Sequence, residues 1–198
     1  MASNLEKRVE ELEKTVKMLL AEKRIKIKKN LGIGDTFELC GLTWKILDIT
    51  EKGYMCLAER LKASMIFDSS SNDWKSSGLR EYLNKDFYKN LCEEIGAENI
   101  VSFERDLFSL DGQTEYGRCE DNVSLITFDE YRKYRSLIPN TENYSWWTCT
   151  PDSTKCNGDS TWVRVVSSSG VIYDWIYFNR IGVRPFCIFG SSIFESEE

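Results

Sequence analysis

Residues 36–59, TFELCGLTWKILDITEKGYMCLAE, set the fold class of this chain. Apolar and polar residues alternate in the first part of the stretch, residues 54–58 form a short apolar run, and the turn residues are Gly41 and Glu51-Lys52-Gly53. Such alternation between turn residues is the pattern of β-strands. The stretch therefore predicts three strands, at about 36–40, 43–49 and 54–59.

A helix is predicted after the polar loop 67–74. Ser76 or Ser77 can cap it, because a serine hydroxyl accepts hydrogen bonds from the unpaired N–H groups of a first helical turn. Its apolar side chains recur at helical spacing: Leu79, Tyr82, Leu83, Phe87 and Leu91. The loop is acidic and could hold a hard cation, but it lacks the spacing of an EF-hand, so we expect a solvated turn.

A second helix is predicted to begin after Thr127 and to end before Pro139. Four apolar residues share one of its faces: Phe128, Tyr131, Tyr134 and Leu137. Beyond it, residues 144–194 are predicted to form short strands and loops. Helices set among short strands predict the α+β class, with one domain at residues 30–198.

The charge of the chain speaks against nucleic acid as a partner. Residues 1–29 hold nine Lys/Arg and five Glu, a net +4, whereas the other 169 hold seventeen Lys/Arg and twenty-seven Asp/Glu, a net −10. An acidic body repels phosphate backbones. We interpret the basic run at 23–29 as a solvated helix end rather than a nucleic-acid arm.

The sequence contains no run of 18 apolar residues, so we expect no membrane insertion. The N-terminal stretch MASNLEKRVEELEK is charged and amphipathic, unlike a secretory signal. These features predict a chain that neither crosses nor enters a bilayer.

The residue types present limit the chemistry of the chain. There is no histidine, which removes the commonest general base and the Ser-His and Cys-His dyads. Of the seven cysteines, only Cys149 and Cys156 approach metal-ligand spacing. We interpret the cysteines as free thiols in a reducing compartment, several of them acting as small core residues. We expect no metal, no cofactor and no enzymatic activity.

The N-terminal segment is predicted to be a coiled-coil helix. Its apolar residues follow a heptad with Val at a and Leu at d: Leu5, Val9, Leu12, Val16 and Leu19. So short a helix is marginal alone in water, so self-association or the following domain must stabilise it. We assign residues 1–29 to an oligomerisation helix.

The oligomeric state of this helix has three alternatives. The run Arg8-Val9-Glu10-Glu11-Leu12-Glu13 resembles a trimerisation motif of short parallel coiled coils, in which Arg at g reaches Glu at e of a neighbouring chain. That resemblance implies a homotrimer through residues 5–20. Val at a with Leu at d favours a dimer instead. The third alternative is a helix folded onto its own domain.

Four motifs of the body resemble those of a large family of phage and bacterial proteins of unassigned function. They are Gly34-Asp35-Thr36-Phe37 with Gly41-Leu42-Thr43-Trp44-Lys45-Ile46-Leu47, then NDWKSSGLREYLN at 72–84, WWTCTP at 146–151 and GVRP at 182–185. The family resembles the C-type-lectin-like fold of the formylglycine-generating-enzyme type. Members of that fold include the variable proteins of diversity-generating retroelements, which serve phages as receptor-binding tips.

The resemblance implies a non-catalytic ligand-binding protein, namely a receptor-binding or display protein of a phage or bacterium, in a virion or in the bacterial cytoplasm. Its ligand would be a protein or a glycan. The alternatives are a structural virion or scaffold module, or an enzyme on the same fold. The calcium-binding motifs of true lectins, Glu-Pro-Asn and Trp-Asn-Asp, are absent, and Cys149 stands where the family carries an Arg.

The predicted ligand site precedes the last motif, in slots that the family fills with exchangeable residues. Tyr, Trp and Arg dominate binding hot spots because they combine large contact area with a polar group. The predicted site residues are Tyr173, Asp174, Trp175, Tyr177, Phe178, Asn179 and Arg180, with Arg164, Asp152, Thr154 and Lys155. Randomisation of AAC codons at adenines cannot yield Trp, so Trp175 speaks against diversification at that position.

The conformation of residues 171–180 has two interpretations. As a half-buried strand, one register leaves Ile172 and Ile176 in water and the other buries Asp174. We therefore expect a bulged loop, anchored by the two isoleucines, with the other side chains exposed. The alternative is a core strand that buries Tyr173 and Trp175.

Overall fold

The computed structural model describes residues 4–22, 30–61 and 63–194. Its helices are α1 (Asn4–Glu22), α2 (Gly78–Tyr82), α3 (Tyr88–Ile95) and α4 (Phe128–Lys133). Its strands are β1 (Thr36–Leu39), β2 (Leu42–Thr50), β3 (Gly53–Ala58), β4 (Ile100–Val101), β5 (Phe103–Asp106), β6 (Arg118–Asp121), β7 (Trp146–Pro151), β8 (Trp162–Val166), β9 (Ile172–Ile176) and β10 (Phe186–Phe189). The α+β class is confirmed, whereas the basic run at 23–29 and the side chain of Leu19 lie outside the described residues.

The five-stranded sheet has the order β1-β2-β3-β10-β4, and all its described pairs are antiparallel. The three strands predicted from 36–59 are confirmed to within about a residue at each end. Strand β10 lies between β3 and β4 although it comes last in the chain. Its alternate side chains enter two hydrophobic clusters, with Phe186 and Ile188 in one and Cys187 and Phe189 in the other. The sheet is therefore buried on both faces.

The motif at 72–84 holds the fold together through buried polar side chains. Asn72 is fully buried, and its amide donates to the backbone oxygens of Ser153 at 3.0 Å and Trp162 at 2.9 Å. The indole N–H of Trp74, also fully buried, donates to the Asp121 carboxylate at 2.8 Å. Because an unpaired buried polar group is costly, these bonds fix the loop against the strands that it touches.

The first predicted helix is confirmed together with its cap. The Ser77 hydroxyl accepts from the N–H of Arg80 at 3.1 Å, and the helix then runs through α2, a π-helical turn at Leu83–Phe87 and α3. Most of its predicted apolar face is buried: Leu79, Leu83, Phe87 and Leu91.

The second predicted helix begins as expected but ends early. Thr127 and Glu130 form a reciprocal capping box at the start of α4. The helix ends before Pro139 as predicted, but the expectation that it includes Leu137 is wrong because it already ends at Lys133. Tyr134 leaves the helical conformation, with φ −101° and ψ 15°, and its hydroxyl donates to Asp48 at 2.7 Å. A hydrogen bond to a distant strand thus coincides with the end of the helix.

The three-stranded sheet has the order β7-β8-β9 and carries the two tryptophans of WWTCTP. Trp146 and Trp147 are fully buried in different hydrophobic clusters, because adjacent residues of a strand point to opposite faces. Four of the seven cysteines are buried as predicted, namely Cys56, Cys119, Cys149 and Cys187. Strand β9 forms one edge of this sheet, and the predicted ligand site lies there.

Candidate ligand-binding site

Residues 172–176 form a regular edge strand. Strand β9 pairs with β8 from Val166↔Ile172 to Trp162↔Ile176 without a register shift, so the expected bulged loop is wrong. Gly170, at φ +82°, makes the turn that starts the strand. The expected anchoring is confirmed, because Ile172 and Ile176 are half-buried.

One face of β9 carries exposed aromatic side chains. Tyr173 lies opposite Val165 and Trp175 opposite Val163, and paired residues of an antiparallel sheet point to the same face. The two valines are fully buried, but Tyr173 is 52% and Trp175 38% exposed. The alternative of a core strand that buries Tyr173 and Trp175 is therefore also wrong. Both side chains are exposed because β9 is an edge strand and they extend beyond the core.

The other face of β9 carries Asp174 between the two half-buried isoleucines, and this carboxylate is neutralised within the protein. Asp174 lies opposite Arg164, whose guanidinium reaches it at 3.4 Å and also forms an ion pair with Asp152. The Arg164 side chain is only 16% exposed. Three of the predicted site residues thus bind one another, on the face away from Tyr173 and Trp175.

The residues after β9 form a turn fixed to the body. The Tyr177 N–H donates to the Thr161 oxygen at 3.2 Å, and the Tyr177 oxygen accepts from Phe67 at 2.8 Å. Tyr177 and Asn179 are half-buried, whereas Phe178 is 54% exposed and meets the Tyr177 ring edge-on at 5.4 Å. Phe178 is therefore the third exposed aromatic side chain of this region.

A cavity of about 390 Å³ opens beside β9, and we call it the Trp175 cavity. Its lining includes Arg60, Ser64, Tyr144, Ser168, Trp175 and Arg180. The Arg60 guanidinium stacks 4.5 Å from the centre of the Tyr144 ring, and Arg180 donates to the Ser64 oxygen at 3.4 Å. Two of the predicted site residues, Trp175 and Arg180, meet in this cavity.

The GVRP motif at residues 182–185 forms part of the wall of the Trp175 cavity and packs against the core behind it. A Cβ at Gly182 would lie 2.9 Å from the Ser145 oxygen and 2.7 Å from a Tyr144 ring carbon, so only glycine fits there without displacement. Arg184, 3% exposed, donates from Nε to the Ala58 oxygen at 2.9 Å and stacks 4.9 Å from the Trp146 ring centre. Arg184 is therefore structural, held by a backbone oxygen and a ring.

Similarity to known proteins adds nothing to this geometry. No family model, no curated protein and no solved structure matches the chain. The family resemblance stays a prediction that rests on the four motifs, and the ligand class must come from the residues of the site.

The remaining predicted residues, Thr154 and Lys155, lie apart from the Trp175 cavity. Thr154 is fully buried. Lys155 is exposed and lines a different cavity of about 510 Å³ with Asp73, Glu115 and Tyr116. The structure therefore does not gather the eleven predicted residues into one surface.

Several cavity residues were missed by sequence analysis. Arg60 follows β3, Tyr144 precedes β7 and Ser168 lies in the turn between β8 and β9. No local pattern distinguishes them from other surface residues. They meet because β10 pairs with β3 and because Gly182 bridges to Trp146.

A second cavity, of about 550 Å³, lies between β5 and α4, and we call it the Arg105 cavity. Its lining includes Arg105, Phe108, Leu110, Phe128, Glu130 and Arg132. Arg105 is 4% exposed, and its Nη1 lies 2.6 Å from both carboxylate oxygens of Glu130. The other lining carboxylates are also ion-paired: Glu104 and Asp106 with Arg118, and Asp129 with Arg132.

The thiols are poorly suited to nucleophilic chemistry. Burial raises the pKa of Cys56 and Cys187, that of Cys119 to about 11 and that of Cys149 to about 12. Burial also raises the pKa of Cys40 and Cys92, and a hydrogen bond with the Glu115 carboxylate raises the pKa of the exposed Cys156. Because the thiolate is the reactive form, none of the seven is activated. Within the described ranges, no three Cys, Asp or Glu side chains are grouped as metal ligands would be.

Proposed function

We propose that the chain is a non-catalytic ligand-binding protein whose binding surface is the β9 edge with the Trp175 cavity. The observation that carries this proposal is the exposure of three aromatic side chains within six residues: Tyr173 at 52%, Trp175 at 38% and Phe178 at 54%. Clustered exposed apolar side chains mark interaction sites, and Tyr and Trp are the commonest hot-spot residues.

The finer part of the proposal is a C-type-lectin-like receptor-binding or display protein of a phage or bacterium, acting in a virion or in the bacterial cytoplasm. It is supported by the four motifs, whose order and spacing resemble that family. A contiguous exposed aromatic patch favours ligand binding over a structural virion or scaffold module without a dedicated ligand site. None of the described helices is long and apolar enough to cross a membrane.

The non-catalytic part is supported by the residue types at hand. The chain has no histidine, and the pKa of each thiol is raised by burial or by a neighbouring carboxylate. Neither a Cys-His nor a Ser-His dyad can form, and a thiol with a raised pKa is a weak nucleophile at neutral pH.

Self-association through α1, as a homotrimer, completes the proposal. Four apolar heptad positions of α1, those whose side chains the structure describes, are exposed in the single chain: Leu5 72%, Val9 47%, Leu12 63% and Val16 51%. A short helix with a bare apolar stripe gains stability by pairing with copies of itself.

Sedimentation of the intact chain tests this part, with Leu12→Asp and a chain lacking residues 1–24 as comparisons. We expect the mass of a trimer for the intact chain and of a monomer for both variants. A dimer mass would support the Val-at-a, Leu-at-d rule instead, and a monomer in all three would contradict self-association.

Binding to bacterial surfaces and to immobilised glycans tests the ligand surface. The chain is compared with Tyr173→Ala, Trp175→Ala and the matched control Phe108→Ala, an aromatic residue that is 49% exposed and lines the Arg105 cavity. We expect the first two to weaken binding about tenfold or more, as hot-spot truncations do, and the control to leave it unchanged. Equal binding by all four proteins would refute the site.

A further inference from the structure

The charge of the Trp175 cavity is opposite to that of the body around it. Residues 30–198 carry a net charge of −10, from seventeen basic and twenty-seven acidic side chains. The charged residues that line the cavity are nevertheless Arg60 and Arg180, and no described carboxylate lines it. A concave site lined by one sign of charge focuses its field on a ligand of the other sign.

The two arginines of the cavity are not neutralised by the described part of the chain. Arg60 stacks on Tyr144, and Arg180 reaches only a backbone oxygen, at 3.4 Å. Burial raises the pKa of the Tyr144 hydroxyl, whereas the positive charges of the buried Arg184 and of Arg60 act to lower this pKa and the Glu59 carboxylate acts to raise it. Arg184 Nη1 is buried without a hydrogen-bond partner among the described residues. Positive charge therefore accumulates around Tyr144.

The uncharged lining offers hydrogen bonds and aromatic surface. Among the described residues, the side chains of Ser64, Asn143, Ser145 and Ser168 have no hydrogen-bond partner, so they can bond to a ligand. Trp175 and Tyr144 add aromatic area for an apolar ring face. Hydroxyl-rich rings with an acidic group match this combination, because hydroxyls pair with Ser and Asn and an acidic group pairs with Arg.

We infer that the Trp175 cavity binds an anionic saccharide, a sugar that carries a carboxylate or another acidic group, without a metal ion. This inference rests on the proposed function and names its ligand class. A nucleic acid fits less well, because its continuous phosphate backbone would extend over the acidic body, whereas a saccharide can place one acidic group at the arginines.

Calorimetric titration of the full chain, with chelator present, tests the inference on two matched ligand pairs. The pairs are tetragalacturonate with its methyl ester, and sialyllactose with lactose; inorganic phosphate is titrated alone. The variants are Arg60→Gln, Arg180→Gln and Arg180→Lys, with Arg132→Gln as the matched arginine of the Arg105 cavity. Arg180 is exposed, so its variants should fold even if Arg60→Gln does not.

We expect at least one acidic saccharide to bind about tenfold more tightly than its neutral counterpart, which is the effect of one charge-assisted hydrogen bond. Arg180→Gln should weaken that binding about tenfold, Arg180→Lys less, and Arg132→Gln not at all. Binding should also weaken at high salt.

Three results would overturn the inference: no binding of either acidic saccharide, equal binding of acidic and neutral partners, or indifference to Arg180→Gln. If inorganic phosphate binds as tightly as the acidic saccharide, the cavity recognises only the negative charge and not the sugar, and the inference of a saccharide site is also wrong. If Trp175→Ala still weakens binding to a cell surface about tenfold or more in any of these cases, the proposed function stands and only the ligand class is wrong. If Trp175→Ala changes no binding at all, the proposed function fails too.

Discussion

In the Arg105 cavity the buried guanidinium meets both oxygens of Glu130 at 2.6 Å, whereas in the Trp175 cavity neither Arg60 nor Arg180 pairs with a described carboxylate. Both cavities also expose an aromatic side chain, Phe108 at 49% in the first and Trp175 at 38% in the second. Aromatic exposure alone therefore does not distinguish them. The two cavities differ in the ion pairing of their arginines: Arg105 pairs with a carboxylate of the same chain, whereas Arg60 and Arg180 do not pair with any described carboxylate.

An arginine whose partner is in the same chain stabilises the fold. Arg105 joins β5 to α4 through Glu130 and also donates to Ser124 at 3.0 Å. An arginine without such a partner has its charge available for a ligand, as in the Trp175 cavity. Four substitutions test this contrast between the two cavities.

The largest effect is expected from Arg105→Met. We expect a loss of about 3 kcal/mol in the free energy of unfolding, because removing one partner of a buried ion pair leaves the other uncompensated. Urea denaturation followed by tryptophan fluorescence measures it. Arg180→Gln is the control and should change stability by less than about 0.5 kcal/mol, as surface substitutions do. Equal effects of the two substitutions would remove the contrast between the cavities.

Gly182→Ala tests the wall of the Trp175 cavity. The new methyl group would lie 2.9 Å from the Ser145 oxygen and 2.7 Å from the Tyr144 ring, so we expect a loss of about 2 kcal/mol from overpacking. Thermal or urea unfolding measures the loss. Gly32→Ala is the matched control, since its nearest neighbour would be 3.8 Å away. An unchanged stability for Gly182→Ala would mean that both the Tyr144 ring and the Ser145 carbonyl move aside and that the cavity wall is not preformed.

Acid should act on the loop that packs against the turn after β9 through Asp68, whose N–H donates to the Tyr177 oxygen at 3.2 Å. Burial opposes ionisation of this carboxylate, but hydrogen bonds from Gly78 and Ser70 outweigh it and lower its pKa. Because the pKa of Asp68 is lower in the folded chain, the unfolded chain binds a proton at a higher pH than the folded chain does. The ionised Asp68 therefore stabilises the fold above about pH 4, and this contribution to the free energy of unfolding is lost as the pH falls further.

Asp68→Asn should therefore cost about 1 kcal/mol at pH 7, because an amide keeps only one of the two oxygens that accept from Gly78, Ser70 and Ser71, and it should flatten the fall in stability below pH 4. Urea unfolding at several pH values measures both effects. Ligand binding in the carboxylate-free Trp175 cavity should be nearly unaffected at pH 7. A variant whose pH profile matches that of the original chain would contradict this role of Asp68.

The smallest effect is expected from Arg132→Gln. Its ion pair with Asp129 spans 2.7 Å between two exposed side chains, so we expect a loss of about 0.3 kcal/mol that disappears in 1 M salt. Melting temperatures at low and high salt, compared with those of Arg180→Gln, measure the difference. A larger loss that persists in salt would show that Arg132 does more for the Arg105 cavity than neutralise an exposed carboxylate.

Elements with local signals were predictable from the sequence. The strands within 36–59 follow from alternation and turn residues, and the caps at Ser77 and Thr127 depend on hydrogen bonds within three residues. The end of α4 was not predictable, because it coincides with a hydrogen bond from Tyr134 to Asp48, which lies 86 residues away.

For β9 the sequence predicted the right exposures with the wrong backbone. The bulged loop was inferred because neither register of a half-buried strand suited the apolar residues at 171–178. That reasoning assumes a strand covered on one face along its whole length. Strand β9 does not satisfy this assumption, because it is an edge strand whose Tyr173 and Trp175 side chains are exposed. Only the pairing of β9 with β8 shows that it is such a strand.

Three features were readable from the chain without its fold: the α+β class, the helix starts and the concentration of aromatic residues before GVRP. Each depends on neighbours along the chain. The tertiary structure alone decided which residues share a site. It separated Asp174 and Arg164 from Trp175 by the alternation of the strand, and it placed Arg60 and Tyr144 beside Trp175. The physical reason is that backbone conformation follows local interactions, whereas a cavity is formed by segments that only the packing of the sheets brings together.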